Sequence, residues 1–165
     1  MDDGVVTYLE GLDWHDGASL TLEGQGWCDT ESPYDRLPAR ARGAVRDPVW
    51  ELGRHSAGLC LRFLSDAGSL AVRWTLRSES LAMAHMPATG VSGVDLYARS
   101  AGGTWRWLGM GVPERHPDNQ RQVATGLPVG ECEFLLYLPL YNGVTAVGPG
   151  GPPGRRPLPP PPRPP

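Results

Sequence analysis

Lysine is missing from this chain: all 15 basic residues in its 165 are arginine. Both lysine codons are A-rich, whereas Arg, Pro and Gly codons are built from G and C, so the gene is expected to be GC-rich. Long apolar runs are missing as well. None approaches the ~18 residues that a bilayer-spanning helix needs, so no membrane contact is expected. The start, Met1-Asp2-Asp3-Gly4, lacks the basic and apolar regions of a signal peptide, which points to the cytoplasm. Cysteine is sparse and odd in number (Cys28, Cys60, Cys132), without CxxC spacing. That suits free thiols in a reducing compartment rather than a disulfide framework. The four histidines, His15, His55, His85 and His116, do not form the ligand pairs of a zinc site. No metal and no cofactor is expected. Gly109-Met110-Gly111 lacks the Gly-Lys continuation of a phosphate loop.

What is abundant is proline and glycine, and their placement is uneven. The last 18 residues, 148–165, hold 10 Pro, 4 Gly, 3 Arg and Leu158. Such a stretch cannot bury a core and reads as a disordered tail. Residues 1–147 carry all 18 acidic residues and only 12 arginines. An acidic body makes nucleic acid an unlikely partner, because phosphate binding wants a basic surface. The division expected is therefore a domain over 1–147 and a tail over 148–165.

The body reads as β. Residues 69–76 alternate, with Leu70, Val72, Trp74 and Leu76 on one face. Residues 58–65 place Leu59, Leu61 and Phe63 together, and Asp66-Ala67-Gly68 is the expected hairpin turn between these two runs. Further strands are expected over 93–99, 104–110 and 131–138, with weaker ones over 5–9 and 19–23. No convincing amphipathic helix appears. Many short strands with Gly/Pro punctuation imply an all-β sandwich or barrel.

Catalytic patterns are thin. Gly90-Val91-Ser92-Gly93 approaches a nucleophile elbow but fails at Val94 and leads into a strand, not out of one. Asp95, Glu79 and Asp118 are candidate carboxylates without a spacing to pair them. The densest candidate region is 81–97, a loop of small residues with His85, Met86 and Pro87 between two strands.

Gly93-Val94-Asp95-Leu96-Tyr97 resembles the Gly-x-Asp-Leu-Tyr motif of the N-terminal domain of SGNH (GDSL-type) hydrolases. Similar stretches surround it in order: Pro48-Val49-Trp50-Glu51-Leu52, Ser56-Ala57-Gly58, Val72-Arg73-Trp74-Thr75-Leu76, His85-Met86-Pro87-Ala88-Thr89-Gly90, Trp105-Arg106-Trp107 and Leu136-Tyr137-Leu138-Pro139-Leu140-Tyr141-Asn142-Gly143-Val144. The resemblance covers about 35–146. It implies a jelly-roll-like β-sandwich placed before an α/β SGNH catalytic domain, packed near the active site. The second domain would supply the nucleophilic serine, the oxyanion donors and a late Asp-x-x-His. The reaction implied is hydrolysis of an ester, with an acylated sugar or small ester as substrate. His85, Met86, Trp107, Tyr141 and Asn142 are the ligand or domain-interface residues it suggests.

After Asn142-Gly143-Val144-Thr145 the chain departs into the Pro/Gly/Arg tail. On that basis the expectation is a non-catalytic accessory domain, not itself an enzyme, whose missing partner is the SGNH catalytic domain. A shifted reading frame would account for the tail. Loss of a last strand would leave the domain marginal, since a domain is stable by only ~5–15 kcal/mol. The alternative is a free-standing carbohydrate-binding sandwich that stacks sugars on Trp14, Trp27 or Trp107. A third reading takes Arg156-Pro157-Leu158-Pro159-Pro160-Pro161-Pro162 as an SH3 ligand in polyproline II form.

Overall fold

The computed structural model describes residues 9–163. Strands β1 (Asp13–Trp14), β4 (Ser69–Leu76), β7 (Asp118–Thr125) and β9 (Val144–Gly151) form a four-stranded sheet in the order β1-β9-β4-β7. Strands β2 (Thr21–Glu23), β3 (Cys60–Ser65), β5 (Val94–Arg99), β6 (Trp105–Gly111) and β8 (Cys132–Tyr137) form a five-stranded sheet in the order β2-β3-β8-β5-β6. All pairings are antiparallel. Helix α1 (Asp47–Gly53) and the single turn α2 (Ala88–Val91) sit in the long connections, with 3-10 turns at Gly17–Ser19 and Ala39–Ala41.

Alternation puts one face of each sheet into a shared core. Leu70, Val72, Trp74 and Leu76 from β4 meet Leu61 and Phe63 from β3, Leu96 from β5, and Phe134 and Leu136 from β8. Phe63 and Phe134 stack at 5.4 Å. The Trp74 indole N–H donates to the Ser92 carbonyl at 3.0 Å, so the largest core side chain leaves no polar group unpaired. Gly111 lies where a Cβ would stand 2.8 Å from the Trp74 ring, which requires glycine at that close approach.

The turn at 66–68 is not a hairpin. β3 and β4 belong to different sheets, and the chain crosses between them through buried Ala67. Both runs alternate toward the same core and face each other across it, a relation that alternation cannot distinguish from side-by-side pairing. The expected strand over 5–9 falls mostly outside the described residues, and Leu9 itself lies in a turn.

The expected all-β jelly-roll with a disordered Pro-rich tail is corrected on three counts. The fold is mixed, with short helices between the strands. Its two sheets are open. The C-terminal stretch is placed in the fold through Arg163. β9 runs through Gly148 to Gly151 and pairs with β4 from Ala71↔Gly150 to Leu76↔Val144, and with β1 at Trp14↔Gly150. Beyond it, the Gly154 amide donates to Asp13 at 2.8 Å. Leu158 and Leu64 exchange two backbone hydrogen bonds of 2.8 and 2.9 Å. Arg62 donates to the Pro161 carbonyl at 2.9 Å, and Arg163 grips both Glu23 oxygens at 2.9 and 3.1 Å. Pro157 and Pro160 are buried. Proline cannot donate in a ladder, but the tail needs few donors once its carbonyls and arginines find partners on the sheet.

Among the described residues, no helix is long and apolar enough to cross a membrane.

Candidate functional site

The connections at one end of the sheets enclose a polar cleft of about 470 Å³. Its lining comes from separated segments: Glu51 and His55 at the end of α1, Arg77, Ser78 and Glu79 after β4, His116 before β7, and Asn142 and Gly143 before β9.

Asn142 holds these segments together. It is wholly buried, and its amide donates to the Ser78 carbonyl at 2.9 Å and to Ser92 Oγ at 3.0 Å. Its Oδ1 accepts from the Ser78 amide at 3.0 Å, and its backbone carbonyl accepts from the Ser56 amide at 3.1 Å. Ser56, also fully buried, accepts from the Val144 amide at 3.1 Å.

Charge reinforces the same corner. Asp35 is buried with its carboxylate 3.3 Å from Arg54 and 3.8 Å from Arg77, and Arg54 also pairs with Glu31 at 3.1 Å. Burial raises the Asp35 pKa, and the two arginines only partly offset it. The Arg54 guanidinium lies 5.4 Å from the centroid of the buried Trp50 ring. Arg36 donates to the Leu52 carbonyl and, at 2.9 Å, to the His55 carbonyl, satisfying groups at the C-terminal end of α1. Burial lowers the His55 pKa, helped by Arg36 and Arg77 against Glu51. A neutral imidazole offers one donor and one acceptor, beside a serine hydroxyl and two carboxylates. Such a lining can hydrogen-bond the polar end of a small molecule and take or give a proton. Among the described residues, no serine hydroxyl is hydrogen-bonded to a histidine.

The sequence-derived candidates divide around this cleft. Asn142 lines it from within the fold. Tyr141 is outside the lining; its ring lies edge-on to the cleft residue His55 and to His85, each 6.4 Å away, and the Tyr141 amide donates to the Val91 carbonyl at 3.1 Å. His85 is exposed in a turn closed by two backbone bonds between Met83 and Met86. Trp107 does not join them. It lies half exposed on the outer face of β6, its indole donating to Asp95 at 2.9 Å. Of the candidate acids, Glu79 lines the cleft, Asp95 serves Trp107, and Asp118 accepts the Thr75 hydroxyl at 2.7 Å elsewhere. Ser92 is fully buried. His55, His116, Arg77, Ser78 and Glu51 were not legible as a group, because the chain brings them together from three separate stretches.

The five-residue run on β5 now has a reason at each position. A Cβ on Gly93 would stand 2.8 Å from the Gly111 carbonyl oxygen and closer still to that of Thr89. Val94 and Leu96 fill the core. Asp95 accepts the Trp107 indole, and Tyr97 meets Tyr137 edge-on at 5.6 Å on the outer face. The family model described as "GxDLY: N-terminus of Esterase_SGNH_hydro-type" matches residues 12–154. The chain belongs to this family. No curated protein matches it. Among solved structures, a protein described as a GDSL-like lipase from Bacteroides ovatus matches with TM-score 0.83 and 22% identity over 89% of this chain and 42% of its own. The salicylyl-acyltransferase SsfX3 from a tetracycline biosynthetic pathway matches with TM-score 0.65 and 16% identity over 93% of this chain and 43% of its own. The chain thus spans less than half the length of either protein.

The GxDLY match corrects the reading of a domain cut short. The family pattern does not stop near 146 but runs to 154, and β9, the strand expected to be lost, is present and paired on both sides. With that premise gone, the non-catalytic remnant, the non-enzyme and the missing catalytic partner lose their ground. The fold likeness to a lipase and an acyltransferase extends over nearly the whole of this chain. The free-standing carbohydrate-binding sandwich falls with them.

Proposed function

We propose that the chain works in ester hydrolysis or acyl transfer as the N-terminal part of an SGNH-type esterase, its polar cleft receiving the polar end of the ester. The observation that carries this reading is the family match over residues 12–154. The cleft supports it chemically. Ester oxygens are acceptors, and Ser78, His55, His116 and Arg77 supply donors around a space of about 470 Å³, within the roughly 300–1,000 Å³ of small-molecule sites. Tyr141 stands edge-on to the cleft's His55, 6.4 Å away, and to His85. The three unpaired thiols, Cys28 exposed among them, suit a reducing compartment such as the cytoplasm.

The test titrates the isotopically labelled full chain with the short-chain ester triacetin and follows amide shifts and acetate release in one sample. Shifts should concentrate at 51–55, 77–79, 116 and 141–143, and weaken in His55→Ala. Absent or scattered shifts without acetate release would overturn the proposal.

A further inference from the structure

A second groove, of about 460 Å³, lies on the outer face of the four-stranded sheet, away from the core. Ala146 and Val147 of β9 line it beside Arg73, Trp74 and Thr75 of β4. Gly150 lets Trp14 lie directly on the strand, since a Cβ there would stand 2.5 Å from the indole. The Trp14 ring in turn carries the guanidinium of Arg73, 5.3 Å from its centroid. Arg115 reaches the same groove from the loop before β7. Buried Asn119 fixes that loop by accepting the Glu114 and Arg115 amides at 2.8 and 3.2 Å and donating to the Arg115 carbonyl at 2.7 Å.

These two arginines differ from most others in the chain. Arg40, Arg42, Arg54, Arg62, Arg77, Arg99, Arg121, Arg155 and Arg163 each lie within 4 Å of a carboxylate. Arg73 and Arg115 do not, among the described residues. Arg73 makes no side-chain hydrogen bond there, and Arg115 uses only its Nε, on the Asp118 carbonyl at 3.0 Å. Their forks remain open toward the groove in a chain of net charge −3. Asp16 and Asp118 line the same groove, each with one oxygen engaged: Asp16 by the Ala18 amide at 2.9 Å, Asp118 by the Thr75 hydroxyl at 2.7 Å. The ligand must therefore present an acceptor anion to the arginines and a donor to the carboxylates. The Thr75–Asp118 contact shows which donor this site already takes: a hydroxyl.

We propose that this groove binds a small hydroxylated carboxylate. Its carboxylate lies in the forks of Arg73 and Arg115, and its hydroxyl bonds the free oxygen of Asp118. Two arginines facing two aspartates balance in charge, so a bare anion gains less there than a hydroxy acid does. The proposal is independent of the ester cleft, whose lining shares none of these residues.

The experiment is an amide-shift titration of the full chain with tartrate, with succinate and inorganic phosphate as comparison probes. Shifts should cluster at 73, 75, 115, 118–120 and 146, and tartrate should bind at least about tenfold tighter than succinate. Arg73→Ala should weaken tartrate by about tenfold or more, and Asp118→Asn should erase its advantage over succinate. Arg73 is exposed, so the variant should keep the parent spectrum outside the groove. Equal shifts from tartrate, succinate and phosphate, or tartrate binding untouched by Arg73→Ala, would overturn the proposal.

Discussion

Asn142 shows how a single side chain can look like a ligand in the sequence and serve as a tie in the fold. Both its amide hydrogens and its oxygen have protein partners, on Ser78 and Ser92. Cutting it to alanine would leave the buried Ser92 hydroxyl without its partner and free the Ser78 amide and carbonyl, which the cleft can hydrate. An unsatisfied buried group costs about 1–3 kcal/mol, so Asn142→Ala should lose an amount in that range in urea unfolding. A loss below about 1 kcal/mol would mean that the tie is not structural. Exposed Tyr141, one residue earlier, should tolerate Ala far better. Sequence alone could mark Tyr141 and Asn142 as a pair worth noticing, but the inward turn of one and outward turn of the other depend on the crossing before β9. His55 and His116 carry no local signal at all. They become neighbours only when α1 and the loop before β7 meet at one end of the sheets.

Element by element, legibility followed amphipathicity. β4 matches the expected 69–76 residue for residue, and β3, β5, β6 and β8 lie within a residue or two of their expected bounds, because apolar residues recur at every second position of their sequences, even where, as in β3, the structure buries both faces. β7 gave no such signal. It reads Asp-Asn-Gln-Arg-Gln-Val-Ala-Thr and buries only Asn119 and Val123, as an edge strand with a polar outer face does. β9 was lost to its own composition. Gly150 serves the close approach of Trp14 and Gly148 that of the His15 backbone, and the Pro149 carbonyl accepts from the His15 amide at 3.0 Å, so the segment that looks least like a strand lies inside the sheet. The stretch beyond it, 152–163, acts as a strap across β3. If it is held as the hydrogen bonds indicate, the amides of Leu158 and Leu64 exchange with deuterium much more slowly than those of an unstructured chain. Truncation after Gly151 should lower Tm by about 2–4 °C for each kcal/mol the strap contributes. Exchange at Leu158 at the unstructured rate would show that the strap is free and return the tail to the SH3-ligand reading.

At the scale of the whole molecule, the question is whether the two sheets unfold together. The core is one cluster: Leu61, Phe63, Phe134 and Leu136 from the five-stranded sheet interleave with Val72, Trp74, Val123 and Val147 from the four-stranded sheet. Each such side chain contributes roughly 1.5–3 kcal/mol on full burial, and neither sheet keeps that burial without the other. The connections reinforce the coupling. Ala67 carries the chain from one sheet to the other inside the core, and Ser92, just before β5, accepts the Trp74 indole from β4. A domain missing a strand would have been expected to melt in stages or to aggregate along an open edge. β9 covers β4 along its length, and β1 in turn covers β9 at Gly150 and Gly151, so the edge of β4 is not left open. Tryptophan fluorescence, in which the buried Trp50 and Trp74 change environment most on unfolding, and far-UV circular dichroism, which follows the strands, should therefore trace one coincident urea transition. Val147→Asp should shift the midpoints of both probes together, because a charge at that position enters the cluster both sheets share. Separate midpoints for the two probes would mean that the sheets are independent units and that the shared core is not what holds the fold.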